Sequence, residues 1–337
     1  MARHTLRLLE AAERYEAHTK ARGLVASTIR GQQDALRLFE RVIGDLQLDS
    51  ITSEHVDRVF TRYHWAPTTR NNRIGQYRAF FNWARGAGYM NPLVNPMLGW
   101  RQKTPPQVKR MQIPHDEWSQ LFKACRHPQE RIVIATGLYL FLRASEQQAL
   151  TIGDVDLQAN LVEIHRRKTQ QYDTMPISAE LEVELRRWLK YLSENYEPTS
   201  QSFLIPSRMH DLTHNENHQW VAGTGSLNLD RPLAHPHRVV QRVLRRAGYE
   251  VEVGQGEHTL RRSGARAYFD SLVDQGYDGA LRRVQSMLGH KHSYMTEHYL
   301  GIDLDRRKRN TDLAGRPMFP VRQDAQIIPI RGVSNGS

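Results

Sequence analysis

Apolar positions recur at helical spacing from the first residues onward. Leu6, Leu9, Ala12 and Tyr15 follow Thr5 at three-residue steps, and Gly23 stops the run, which predicts a first helix. Ser27 then precedes Ile29, Leu36, Phe39 and Ile43, with Gly44 as the terminator. Thr52 precedes Val56, Val59, Phe60 and Tyr63, and Pro67 opens a longer helix bearing Ile74, Tyr77, Phe81 and Ala84. Four helices without a strand pattern predict an all-α first domain over residues 1–98. The last of them carries Arg70, Arg73, Arg78 and Arg85 at three-to-seven-residue steps, which suits either a track along a phosphate backbone or a solvated basic face.

Periodicity fails over residues 91–114, a stretch with five prolines and four basic residues but no acid, so a basic linker is placed at 99–113. The second domain, 114–310, opens with a helix near 115–126 and a more apolar one over 129–143. Its run from Ile132 to Leu142 is far short of the roughly 20 residues that span a bilayer, and reads as a buried helix. Residues 161–165 and 172–177 read as a hairpin, with Val162/Ile164 alternating against Leu161/Glu163 and Lys168 at the turn. Ser178 caps a further helix with Leu181, Leu185, Trp188 and Leu189 inside, and another is expected over 235–246. Residues 207–233 between them read as irregular. His210, His214 and His218 recur there every four residues, but Asn215, Asn217, Gly223 and Gly225 oppose a helix that would align them on a metal. The tail, 311–337, contains an edge-strand pattern at Gln326–Ile330. The whole is a mainly α chain of two domains, the second α-rich with a small antiparallel β-sheet.

Charge sharpens this picture. The net +11 divides as +5 over residues 1–100, +4 over 101–113, +1 over 114–310 and +1 beyond, so a polyanion would be gripped mainly by the first domain and the linker. Lys103, Lys109 and Arg110 join the arginines above as candidate phosphate contacts. Cys125 is the single cysteine, which excludes an internal disulfide and a cysteine-rich zinc site and fits a reducing cytoplasm. The opening MARHTLRLLEAAERYE acquires acids at once and shows no small-residue cleavage site, so neither a secretory nor a transit peptide is expected.

The chemistry concentrates in residues 258–301, HTLRRSGARAYFDSLVDQGYDGALRRVQSMLGHKHSYMTEHYLG. His258 and Arg261 stand three apart. After Gly289, His290 is followed nine residues later by Tyr299, about two and a half helical turns on. A short helix there returns a phenol toward imidazole and guanidinium groups, the inventory for attack on a phosphodiester. Upstream, Arg143 and Glu146 are either a buried arginine held by a carboxylate or a surface ion pair. Lys168 by itself reads as a solvated hairpin charge.

Arg143 in RASE, Lys168 before Met175-Pro176-Ile177, HTLRR, and LGH with a tyrosine nine residues beyond its histidine together resemble the tyrosine recombinase family, also called phage integrases. The resemblance extends to about residue 305 and takes in the first domain as a SAM-like core-site-binding domain. It implies Tyr299 as nucleophile, Arg143 and Arg261 as phosphate clamp, His258 and His290 as further catalytic groups, Lys168 as general acid, and Glu146 in support. No metal, ATP or other cofactor is implied. The implied activity is site-specific recombination through a 3′-phosphotyrosine and a Holliday junction, by a tetramer clamped on duplex DNA, most like an integrase and with an accessory directionality factor as a further partner. A chromosome-dimer resolvase is the alternative within the family, a type IB topoisomerase shares the chemistry, and a non-catalytic DNA-binding protein is the alternative outside it. The tail would dock on a neighbouring protomer. Two departures stand out. Leu140-Phe141-Leu142-Arg143 replaces the family's Thr-Gly-Leu-Arg, and the interval from Arg261 to His290 is longer than usual, with the extra length expected near 274–280. Tyr294, Arg262, Arg266, Arg282, Arg283, His292 and His298 are read as lying outside the catalytic set.

Overall fold

The structure, a computed structural model, describes residues 6–104, 110–166, 171–208, 213–214, 220–221, 225–252 and 254–302. Lys168, Lys109, His210, His218 and the tail segment Gln326–Ile330 lie outside the described residues. Two compact units divide the chain, Met1–Val108 and Lys109–Ser337.

The first unit holds α1 (Leu8–Ala21), α2 (Ala26–Ile43), α3 (Ser53–Arg62) and α4 (Pro67–Gly86). Their apolar faces meet in a core containing Tyr15, Phe39, Tyr77, Phe80 and Phe81, where Phe39 and Tyr77 lie 4.9 Å apart and the Tyr77 hydroxyl donates to the Ala35 carbonyl. Arg7, not Thr5, stands at the N-cap of α1. The arginines of α4 depart from the expected exposed stripe. Arg70 lies over Trp100 at 5.0 Å, Arg78 donates to the Trp100 carbonyl, Arg73 donates to Gln76 at 3.0 Å, and Arg85 donates to the Pro92 carbonyl. Trp100 stacks on Phe60 at 4.1 Å, and Asn71 accepts from the backbone of Lys103, so residues 91–103 are seated on this unit.

The second unit is built around a buried helix. After α5 (Trp118–Ala124), α6 (Pro128–Tyr139) is covered on nearly every face, which is why its apolar run shows no amphipathic period. It stops at Tyr139, short of the expected Arg143. Leu140–Leu142 break the helix, and Arg143 stands at the N-cap of the short α7 (Ala144–Gln147). Antiparallel strands β1 (Val155–Asp156), β2 (Leu161–Arg166) and β3 (Gln171–Pro176) follow in spatial order, with Arg166 opposite Gln171. The next helix, α8 (Ala179–Asn195), is capped by the Ser178 hydroxyl accepting from Leu181 N–H.

The stretch expected to be irregular contains further strands: β4 (Pro206–Arg208) pairs with β7 (Leu227–Pro232), and β5 (Thr213–His214) pairs with β6 (Trp220–Val221). Four helices complete the unit: α9 (Pro236–Arg246), α10 (Glu257–Leu272), α11 (Tyr277–Leu288) and α12 (Ser293–Leu300). A 3₁₀ turn at Val273–Gln275 and Gly276 join α10 to α11, where the longer interval was expected. The helix α10 crosses α6 at glycine: a Cβ on Gly264 would fall 1.9 Å from the Leu138 carbonyl oxygen, so only hydrogen allows this approach. Among the described residues no helix is long and apolar enough to cross a membrane.

Candidate active site

The break after α6 sets the first arginine. Phe141 adopts φ 50°, the left-handed region that side chains rarely enter, at the position where the family pattern has glycine. Its ring is buried beside Ala265 and Phe269, and this apolar burial offsets the backbone strain. The same kink turns the Phe141 carbonyl toward Arg261, which donates to it. Arg143 is thereby placed at a helix start rather than on a helical face with Glu146, as the three-residue spacing had suggested. Glu146 reaches back to accept from Arg143 N–H at 2.8 Å and from its guanidinium at 2.6 Å. The pair is not a surface one, since Glu146 is 2% exposed.

One carboxylate therefore serves several cations. Besides Arg143, Glu146 lies 3.4 Å from Arg261 Nη1 and 3.8 Å from Arg166 Nη1. Burying these charges is tolerable only because they are paired and hydrogen-bonded. Arg261, 1% exposed, also donates to the Leu288 carbonyl at 2.7 Å, and Arg143 reaches the same oxygen at 3.3 Å. That carbonyl belongs to the last turn of α11, whose terminal oxygens lack helical donors and carry the negative end of the helix dipole. Burial and then the Arg143 charge pull the Arg261 guanidinium down to about 10, which leaves it charged at neutral pH.

Gly289, at φ 61°, ends α11 in the left-handed conformation and reverses the chain into His290. The Nδ1 of His290 shares a hydrogen bond with the buried Thr296 hydroxyl at 3.0 Å, which fixes the ring. Tyr299, near the end of α12, meets that ring edge-to-face at 5.5 Å. Its hydroxyl donates to the His258 carbonyl at 3.4 Å. Burial raises its pKa, while Arg261, Arg262 and Arg143 pull the other way. His258, open to solvent on one side, is held below its ordinary range by partial burial and by Arg261, Arg262, Arg143 and Arg110. A neutral imidazole suits a proton acceptor. The Leu300 carbonyl accepts from Gln112 at 2.8 Å, a tie that seats the end of α12.

Thus Arg143, Glu146, His258, Arg261, His290 and Tyr299 converge, drawn from positions up to 156 residues apart. Two further residues belong to the surroundings: Arg262, read from the sequence as outside the catalytic set, and Arg166, which the sequence pattern had not singled out. Arg262 is 5% exposed and lies over the Tyr299 ring at 5.0 Å, closer than Arg261 at 6.0 Å, so its position next to Arg261 did not turn it away from the tyrosine. Arg166 is on the core face of β2; continuing the Val162/Ile164 alternation one step would have found it. Tyr294 is 65% exposed and stacks on His292, away from this cluster. Two guanidiniums, imidazoles and a phenol in this arrangement can bind a phosphodiester by its non-bridging oxygens and bring an oxygen nucleophile to the phosphorus.

The model of the Phage integrase family matches residues 111–305. The chain is 23% identical over 310 residues to the Tyrosine recombinase XerC of Chromobacterium violaceum, covering 87% of this chain and 90% of that one. Among solved structures, a lambda integrase dimer bound to a COC′ core site superposes with a TM-score of 0.65 at 17% identity, over 96% of this chain and 82% of that one. A XerH site-specific recombinase bound to a palindromic difH substrate superposes with a TM-score of 0.59 at 18% identity, over 87% and 81%. A lambda integrase tetramer bound to a Holliday junction gives 0.64 at 17% identity, over 87% and 80%. With the family match running from before α5 to beyond Tyr299, the chain belongs to the phage integrase family and is a tyrosine recombinase, a DNA strand transferase.

Proposed function

We propose that this protein is a site-specific recombinase of the integrase type, which cuts and rejoins DNA at attachment sites through a 3′-phosphotyrosine intermediate. The observation that carries the reading is the convergence of Tyr299 with His258, Arg261 and His290 around an Arg143 held by Glu146. Tyr299 Oη attacks the phosphorus, its proton passing to the neutral His258. Arg143 and Arg261 hold the non-bridging oxygens as negative charge gathers there, and His290 donates a further hydrogen bond. The 5′ oxygen leaves with a proton from Lys168, and the phosphotyrosine bond stores the energy that religation uses. With Arg70, Arg73 and Arg78 half-buried and engaged within their own unit, Lys103, Lys109 and Arg110 supply backbone contacts to the duplex, and four protomers exchange strands in pairs at a Holliday junction.

A nicked suicide duplex tests the chemistry. The wild type is expected to become covalently attached to DNA, while Tyr299→Phe binds the same duplex and forms no adduct. Covalent attachment of the Phe variant would remove Tyr299 from the nucleophile's role. Resolution of chromosome dimers is the second reading, favoured by the likeness to XerC over 87% of the chain. Recombination between two non-identical sites supports integration, and recombination only between identical sites supports resolution.

A further inference from the structure

Arg166 is 5% exposed and leaves the core face of β2 where that strand pairs with β3. Its Nε donates to Asp173 Oδ2 on β3 at 2.7 Å, and Nη2 lies 2.6 Å from the same oxygen. Nη2 also donates to the Met287 carbonyl at 2.8 Å, and Nη1 stands 3.8 Å from Glu146 Oε1. The guanidinium packs against Gly289, where a Cβ would meet Arg166 Nη1, Cδ and Cζ at 3.3–3.4 Å. A single planar fork thus touches the hairpin, the carboxylate that holds Arg143, and the turn that ends α11.

The last two contacts matter because the phosphate-binding arginines depend on the same groups. Arg143 and Arg261 both lean on Glu146, and both donate to Leu288, the residue after Met287. Three guanidiniums therefore converge on two successive carbonyls at the negative end of α11. A lysine could not reproduce this, because a point charge cannot span a carboxylate and a carbonyl in one plane.

We propose that Arg166 is a positioning residue for the phosphate clamp, holding Glu146 and the end of α11 so that Arg143 and Arg261 meet the scissile phosphate in register. The proposal rests on the recombinase reading above. Without Arg166, the clamp arginines keep their charge and lose their placement. A misplacement on the order of 1 Å costs roughly 100-fold in rate.

The test uses the full chain with Arg166→Gln and Arg166→Lys, each measured for duplex binding and for single-turnover cleavage of two suicide substrates. One carries the natural scissile phosphodiester and the other a methylphosphonate, which lacks the charged non-bridging oxygen that the clamp must hold. Binding is expected to stay within about threefold of wild type, and Arg166→Gln to cleave the phosphodiester about 10- to 100-fold more slowly. Arg166→Lys is expected to recover only part of that loss. On the methylphosphonate the deficit of Arg166→Gln relative to wild type shrinks to a few-fold, because the demand on the clamp is gone. Equal loss on both substrates would make Arg166 a scaffold residue only, and no loss on either would also overturn the proposal. If Arg166→Gln does not fold, Asp173→Asn weakens the tie between Arg166 and β3 while leaving the arginine in place, and the same contrast between substrates is expected at smaller size. Tyr299→Phe runs in parallel to separate the two readings. An adduct with Tyr299→Phe, or none with wild type despite binding, overturns the recombinase reading and this inference with it.

Discussion

At the scale of the residue, Glu146 decides whether the site is tolerable. Arg143 N–H and three guanidiniums share its two oxygens, and the group is 2% exposed. Truncation removes the only carboxylate within ion-pair distance of Arg261 among the described residues. Glu146→Ala is expected to cost about 3–5 kcal/mol, the penalty for leaving buried charge uncompensated. At roughly 2–4 °C per kcal/mol this is a fall on the order of 10 °C in melting temperature. Glu146→Gln keeps an acceptor for Arg143 N–H and is expected to lose less. A melting temperature for Glu146→Ala within about 2 °C of wild type would show that the arginines are neutralised elsewhere. Glu146 stood out in the sequence because it follows Arg143 by three. What that spacing meant did not, since the same interval serves a helix face and a helix N-cap equally well.

Among the elements, α10 carries the most consequence, because it is pressed into α6 at Gly264 and presents His258 and Arg261 at its first turns. Glu257 is buried at its start, and burial raises its pKa to about 6. Below about 4.5 the carboxyl is protonated folded or unfolded and has no effect; as pH rises through the window from 4.5 to 6 the unfolded chain releases its proton first, and stability falls. Glu257→Gln is expected to match wild type near pH 4 and to exceed it by about 2 kcal/mol at pH 7. Urea melts of both proteins across that range check the sign; a variant less stable at pH 7 would mean the carboxylate finds a partner that burial does not reveal. The helices themselves were legible, since their apolar periods and stop glycines lie within a few residues of the observed ends. The break at Phe141 was not, because a phenylalanine in the left-handed region contradicts local preference and is held there only by its neighbours in three dimensions.

For the whole molecule, the Tyr299 hydroxyl donates to the His258 carbonyl of its own chain, so the proposed nucleophile and the proposed clamp meet within one chain. Mixing Tyr299→Phe with Arg261→Ala protomers on a suicide duplex is therefore expected to give no covalent product, since neither protomer holds a complete site. Restored cleavage in the mixture would mean that the tyrosine is delivered to a partner's clamp. Sequence by itself determined the helical content and the order of the catalytic candidates along the chain, because apolar period and motif spacing are local properties written along it. Tertiary structure decided which face each cation takes. Arg70, Arg73 and Arg78 turned inward to their own unit, Arg262 came over the tyrosine ring, and Arg166 entered the site from a hairpin. The physical reason is that an arginine is satisfied by any carboxylate, carbonyl or ring within reach, and only packing determines which of these is near.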